Sequence, residues 1–572
     1  MQKKMLYGLV AVVVVAIIVA AAAAVILTAP PRKQGIELWY NNDAHYGDTE
    51  QLLAQTLQQD INACGKVSVT LQSSTWAVFK QNWAAGRMPV FLLGWYPDYF
   101  DSDDYVSPFL AIAGAKSLGS FYNNSQVDQW VTDEQTTTSD AVRAARFTSI
   151  QQQLATDVPY IPLFSGRADV EFNSTVQNVV LHPVVFKWFI MNKPGASQLN
   201  ASTTDKIISL DPASAYDYFS IEVINQVFDT LLVYDWQTTT LKPGLATEIP
   251  TVANGGVSAD GKNFTYHLRQ GVTFHDGTAF NSTVMKASID RAIRLDLPGS
   301  AAFLLYDVAK LGRSQTNGNN TPVGMITTPD PYNITFHLDQ PVSFFNDLMA
   351  FSVAAPVPLS YNQNGEQLST PASNVIGTGP YRLTQHTANQ LVELTEYVSY
   401  YNPGLYAPAI PSIPVMNKVV INIRSSSTTM VNDLRTKAVD VIYRTPTPDD
   451  LAGLQADANS LGITVRIGAS PQIRYLVFNV NARAADAQLG TYMDARIRQA
   501  IAYSVDRAHI ASTVFNNQVT PLYSMVPPQM PFSQPVFQST YGDHNCASAN
   551  NLLAQLGYAV GIGPTLFIAR DE

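Results

Sequence analysis

The chain has 572 residues, of which 46% are hydrophobic, 10% aromatic and only 14% charged. That length exceeds what one core supports, so two or three packing units are expected, and the apolar content argues against a disordered chain. The formal net charge of −10 argues against a nucleic-acid partner. With so little charge, Ser, Thr, Asn, Gln and Tyr must supply the polar surface. Such a surface suits a strongly acidic exterior, or simply a Tyr/Thr-rich secreted protein.

Lys3 and Lys4 precede an apolar run from Met5 to Leu27, which Pro30, Pro31, Arg32 and Lys33 close. The run is long enough to span a bilayer and exceeds a signal h-region of about 7–15 residues. Residues 1–33 therefore read as an uncleaved anchor with the bulk outside, and Ala20–Ala24 offers the alternative of cleavage and secretion. No cysteine follows the run, so a thioether-linked lipid is unsupported. Export agrees with N-x-S/T triplets at Asn123, Asn173, Asn200, Asn263, Asn281, Asn319 and Asn333, although an Asn/Thr-rich chain produces some by chance. Cys64 and Cys546 are the only cysteines and are candidates to pair, subject to the Cα reach of a disulfide.

Residues 36–40 predict a strand, and Asp48 a helix start with Leu53, Leu57 and Ile61 on one face. Strands follow at 67–71 and 90–93, a rhythm that predicts a parallel α/β sheet. Ser139 or Asp140 opens a helix through Leu154, and Pro159–Phe164 leads into strands up to about Asn192. Residues 193–202 read as a polar linker. Beyond it, Ile224, Val227, Phe228 and Leu231 share a helix face, strands fall at 264–269 and 272–275, and Asn281 caps a helix. Hairpin-like strands occupy 323–338. Alternating α/β sequence returns at about 425, with Asp494 capping a helix and a short helix at 550–558.

Ser209-Leu-Asp-Pro212, the stretch from Ser258-Ala-Asp-Gly through Tyr266-His-Leu-Arg-Gln-Gly-Val-Thr-Phe-His-Asp-Gly277, Ile376-Gly-Thr-Gly-Pro-Tyr381, Leu476-Val-Phe-Asn479, Asp494–Ile501 and Leu552–Tyr558 form a series of segments. Their series resembles the solute-binding proteins of the peptide/nickel cluster of ABC importers. The family's next elements lie upstream here: a helix like 50–64, Gly94-Trp-Tyr-Pro-Asp-Tyr99, Val127-Asp128 and Pro159-Tyr-Ile-Pro-Leu163. The resemblance thus implies an α/β, two-lobed clamshell of periplasmic-binding-protein type II with an extra subdomain, circularly permuted. Residues 34–158 and 425–572 would form the smaller lobe, 159–192 return strands, and 203–424 the large lobe with its β-rich subdomain. Segments 36–40 and 565–568 compete for one strand position.

The resemblance further implies capture of short peptides between the lobes and delivery to an ABC permease with its ATPases, with no cofactor and no catalysis. Asp98 falls where relatives pair an aspartate with the ligand's ammonium, a charge-assisted contact. Trp95 and Tyr99 flank it; Tyr218, Tyr475, Phe478 and Asn479 are further cleft candidates. Each also has an ordinary packing explanation. A nickel-chelate or oligosaccharide receptor is the alternative within the fold. Asp98, Asp101, Asp103 and Asp104 place four acids within seven residues. They raise a surface glycosidase as the alternative from another class, while lacking the glycine and distal glutamate of an EF-hand. His45, His267 and His275 have no zinc-ligand spacing, and no nucleophile elbow or phosphate loop is present.

Overall fold

The computed structural model describes residues 34–43, 45–46, 49–65, 67–316, 319–402, 404–481, 483–484, 494–555 and 566–568. Asp48 and the apolar run before residue 34 lie outside them. Among the described residues no helix is long and apolar enough to cross a membrane.

One sheet of thirteen strands organises the molecule. Its strands are β1 (Gln34–Asn41), β2 (Val67–Ser74), β3 (Val90–Trp95), β4 (Tyr160–Asn173), β5 (Gln198–Thr203), β6 (Tyr381–Thr387) and β7 (Leu391–Glu396). They continue with β8 (Lys418–Ile423), β9 (Val441–Tyr443), β10 (Ile463–Phe478), β11 (Arg483–Ala484), β12 (Thr520–Pro521) and β13 (Leu566–Ile568). Across the sheet the order is β6-β7-β8-β5-β9-β4-β10-β3-β1-β13-β11, with β2 against β1 and β12 against β4.

The two longest strands, β4 and β10, run antiparallel through both halves of the sheet. Ile463–Ala469 pairs with Arg167–Asn173; the register then breaks across residues 470–472 and resumes with Ile473 opposite Ser165. The Ser165 hydroxyl donates to the Ser470 carbonyl across this break. Each half has its own apolar filling. Val170, Phe172, Leu199, Ala201, Val419 and Ile421 are buried in the half built on β5–β9. Leu38, Phe91, Leu92, Ile161, Leu476 and Val477 are buried in the other. The break in β4 and β10 is therefore a hinge between two packed bodies.

The half carrying β5–β9 extends further along the chain than predicted. Residues 425–469 belong to it rather than to the smaller half, because β9 pairs in register with both β4 and β5. The linker assigned to 193–202 is likewise corrected. Gln198–Thr203 forms a strand between β8 and β9, with Leu199 and Ala201 fully buried. A three-stranded antiparallel sheet, Asn263–His267, Asn333–His337 and Ile326–Asp330, packs with helix Ser282–Leu295 as a separate subdomain. Asn281 caps that helix, its side chain accepting from Val284 N–H at 3.0 Å.

Two of the motif segments lock together. The Gly379 N–H donates to the Val227 carbonyl at 2.9 Å, so the chain passes tightly over the end of helix Tyr218–Val227. A Cβ at Gly377 or Gly379 would fall within 2.0–2.6 Å of Val227 backbone atoms, which is why glycine stands at both places. His275 holds this loop: its Nε2 contacts the Gly379 carbonyl at 2.9 Å and its Nδ1 accepts from Gly377 N–H at 3.3 Å. Burial pushes the ring down to about 4, so it stays neutral.

The first and last described strands meet in the smaller half. β1 pairs along its length with β2 and, on its other edge, with β13 at Gly35–Ile36 and then β3 at Leu38–Trp39, with Gly35 opposite Leu566 and Ile36 opposite Phe567 in parallel register. The two segments expected to compete for one position lie side by side instead. Cys64, at the end of helix Glu50–Ala63, is bonded to Cys546 at the start of helix Cys546–Gln555, with Cα atoms 4.8 Å apart.

Candidate functional site

Two adjoining cavities of about 410 and 460 Å³ lie over the hinge, between the halves. Both are of ligand-binding size. They share Tyr96, Pro183, Tyr218, Arg444 and Gln472 in their walls and so form two compartments of one cleft. The first is aromatic, lined by Tyr96, Tyr99, Tyr216, Tyr218, Tyr234 and Phe351 around Asp98. The second is polar and carries Glu50, Arg167, Asp169, Gln518 and Arg474.

Asp98 sits on the loop after β3 and is held from both sides. Its N–H donates to Asp104 Oδ2 at 2.7 Å, and its Oδ1 accepts the hydroxyl of Tyr216, which comes from the other half. Burial pushes the Asp98 carboxyl up to about 6, and the Tyr216 bond opposes that rise. Behind it the acidic loop is closed in. Asp101 receives Arg143 Nη1 and Nη2 at 3.0 and 2.6 Å, and Glu134 shares the same guanidinium. Asp103 accepts from Gln135 Nε2 at 2.9 Å and from the Tyr99 hydroxyl. Asp104 also takes Trp95 Nε1 at 3.1 Å, while its Oδ1 is buried without a partner. Burial first, and neighbouring carboxylates second, raise Asp104 and Glu134 well above the usual carboxylate range. Asp101, Asp103 and Asp104 are thus internal, and Asp98 alone of the four lines the cleft.

The other candidates divide. Tyr99 lines the first compartment, its ring stacked on Phe344 at 4.9 Å between centroids. Tyr218 stands at the start of helix Tyr218–Val227, edge-on to Tyr96 at 5.2 Å, with its hydroxyl 2.8 Å from that of Tyr443. Trp95 does not reach either compartment. Successive strand side chains face opposite ways, so Trp95 packs edge-on against Phe109 while Tyr96 faces the cleft. Tyr475, Phe478 and Asn479 are also corrected. Tyr475 is fully buried against Phe109 and Tyr160, Phe478 is fully buried, and Asn479 donates to the Gly86 carbonyl at 2.9 Å. They follow the hinge on a segment covered on both faces, and that strand opens into the cleft at Ser470, Pro471, Gln472 and Arg474.

Residues unseen in sequence complete the walls. Tyr216 reaches Asp98. Pro183 and Val184 form a lip, held by His182 Nδ1, which accepts from Val184 N–H at 3.1 Å while Nε2 faces the Asp235 carbonyl at 2.9 Å. Arg444 ends β9. The run Tyr-Pro-Asp-Tyr was the one signal that pointed to Tyr96; nothing local marks Arg444.

Of the asparagines in N-x-S/T triplets, Asn123 is exposed. Asn263, Asn281 and Asn333 spend their side chains on Ser258 and His337, on Val284 N–H, and on Asp330. Asn173 and Asn200 are partly buried in β4 and β5, and the Asn319 side chain lies outside the described residues.

The model of the bacterial extracellular solute-binding proteins, family 5 (Middle), matches residues 240–570. The chain belongs to that family, whose members are binding proteins and not enzymes. The glutathione-binding protein GsiB of Salmonella typhi is 27% identical over 369 residues, covering 64% of this chain and 62% of that protein. Its counterpart in Escherichia coli O1:K1 is 26% identical, covering 66% and 65%. The chain thus spans under two thirds of the length of these relatives. Among solved structures, the Escherichia coli murein tripeptide binding protein MppA is 20% identical with a TM-score of 0.43, covering 64% of this chain and 67% of that one.

Proposed function

We propose that the protein captures short peptides in the cleft between its halves, outside the cell, and delivers them to an ABC permease. The observation that carries this reading is Asp98: a carboxylate in the wall of an aromatic cavity, held by groups from both halves, with its Oδ2 without a protein donor among the described residues. A free ammonium matches that group, and closure about the hinge buries it. Relatives named for glutathione support a peptide over a nickel chelate or an oligosaccharide. The internal bonding of Asp101 and Asp103 leaves the glycosidase alternative without its carboxylate pair. Tethering through the apolar run at residues 5–27 belongs to the same proposal.

The order of segments is also part of it. The family match reaches residue 570, yet β1–β3 complete the same half of the sheet from residues 34–95. We read the chain as a circular rearrangement of the family order, with β5 and its approach joining the former ends. Tripeptide titration by calorimetry tests the site: Asp98→Ala is expected to weaken binding by about 1.5–3 kcal/mol. Unchanged affinity removes Asp98 from it.

A further inference from the structure

Three arginines stand at the cleft, and two of them are held by several acceptors of the protein, at least one Nη of each included. Arg167 gives Nε to Asp169 Oδ1 at 2.5 Å, Nη1 to Gln518 Oε1 at 2.7 Å and Nη2 to the Pro446 carbonyl at 2.5 Å. Arg474 gives Nε to the Leu93 carbonyl at 3.1 Å and Nη2 to both oxygens of Glu50 at 2.6 and 2.7 Å. Arg444 differs. Its Nε lies 3.1 Å from Asp205 Oδ2, and among the described residues Nη1 and Nη2 meet no acceptor. It lines both compartments, at the point where they join.

The guanidinium is also fixed in advance. It lies over the Tyr218 ring, 3.7 Å from the centroid, so little orientational freedom remains to be lost on binding. The backbone that presents it is strained: Arg444 and Thr445 have φ of 55° and 73°, the second a β-branched residue in the left-handed region. Such strain persists where surrounding structure enforces it, and it concentrates at ligand sites. Asp205 offsets part of the charge from beside Nε, and among the described residues neither Nη1 nor Nη2 hydrogen-bonds to the protein where Arg444 lines the cavity.

We infer that Arg444 is an anion subsite that takes a carboxylate of the ligand through its free Nη edge. This rests on the peptide reading, and narrows it. Asp98 and Arg444 line the same compartment of about 410 Å³, so the ligand carries an ammonium and a carboxylate within a few residues of each other. Long peptides and peptides capped at the carboxyl end are disfavoured, and the second, polar compartment accepts what extends past Arg444.

Calorimetry of full-length protein with Ala-Ala-Ala and with Ala-Ala-Ala-amide tests this, using the wild type, Arg444→Gln and Arg444→Lys. In the wild type the amide is expected to bind at least about tenfold more weakly, the range of a charge-assisted bond. Arg444→Gln should bind acid and amide alike, and Arg444→Lys should fall between, because it keeps the charge and loses the fork. An equal amide penalty in wild type and Arg444→Gln, or none in either, overturns the inference. Failure of both peptides to bind any of the three proteins would instead sink the peptide reading. The subsite is then judged with succinate: a rise in melting temperature seen in the wild type and absent in Arg444→Gln sustains it, and equal behaviour of the two overturns it. Far-UV circular dichroism of each variant excludes misfolding as the cause.

Discussion

The two compartments of the cleft handle charge in opposite ways. In the polar compartment each carboxylate has an arginine of its own: Glu50 with Arg474, Asp169 with Arg167. Around the acidic loop, Asp101 and Glu134 share Arg143, and among the described residues Asp98, Asp103, Asp104 and nearby Asp347 make no arginine pair. Paired ions in a protein interior hold positions but have nothing left to offer a ligand. Underpaired carboxyls must either keep a proton or find a cation. The contrast separates what builds the cleft from what is free to bind in it, and Asp98 and Arg444 are the two groups on the free side.

Breaking a matched pair should have the largest effect. Glu50→Ala strands a guanidinium whose side chain is only 6% exposed, and a loss of about 3–5 kcal/mol is expected in denaturant unfolding. A loss under about 1 kcal/mol would mean the pair is solvated and the contrast overstated.

The acidic loop predicts a pH dependence of the opposite kind to ordinary ion pairs. Burial raises Asp103, Asp104, Glu134 and Asp347 in the folded state, and Asp229 elsewhere is pushed up to about 7. A raised folded value means more protons bound when folded, so the stabilisation is full below the ordinary carboxylate value and is lost as pH rises through the folded one. The loop's contribution should therefore be largest near pH 4 and decline toward pH 7 and above, read as the difference in melting temperature between wild type and Glu134→Gln because buried His275 works in the opposite sense. Glu134→Gln, which mimics the protonated acid and still accepts from Arg143, should flatten that decline. A difference that stays constant from pH 4 to 7, or moves in favour of the wild type, would contradict the assignment.

The smallest effect is local. Thr445→Gly removes a β-branched residue from φ of 73°, and should stabilise by about 1 kcal/mol after the entropy of glycine is allowed for. Destabilisation would show that the turn is relaxed and that Arg444 is not presented under strain.

Much of this was legible in sequence, and the failures have physical causes. The strands, the caps at Asn281 and Asp494, and Asp98 at the end of a buried strand follow from periodicity, capping chemistry and motif. Tyr475, Phe478 and Asn479 were misplaced because a strand that crosses a hinge opens to the cleft at and beside the break in its ladder, from Ser470 to Arg474, and is covered beyond it. Strand β5 was hidden by polar residues that alternate with buried Leu199 and Ala201 on a strand hydrogen-bonded on both sides. Tyr216 and Arg444 were invisible because their roles depend on what the other half brings opposite them, and Arg444 on a backbone conformation no propensity favours.

The account turns on whether Asp98, ionised and lodged between the halves, is what a ligand's ammonium meets. The direct measurement is tripeptide affinity against pH. With the free carboxyl at about 6, affinity should be level above about pH 7 and weaken roughly tenfold per unit below pH 6. In Asp98→Asn that slope should vanish and affinity should be low throughout. Affinity that holds or strengthens into acid, or an Asp98→Asn protein with the wild-type profile, would contradict it.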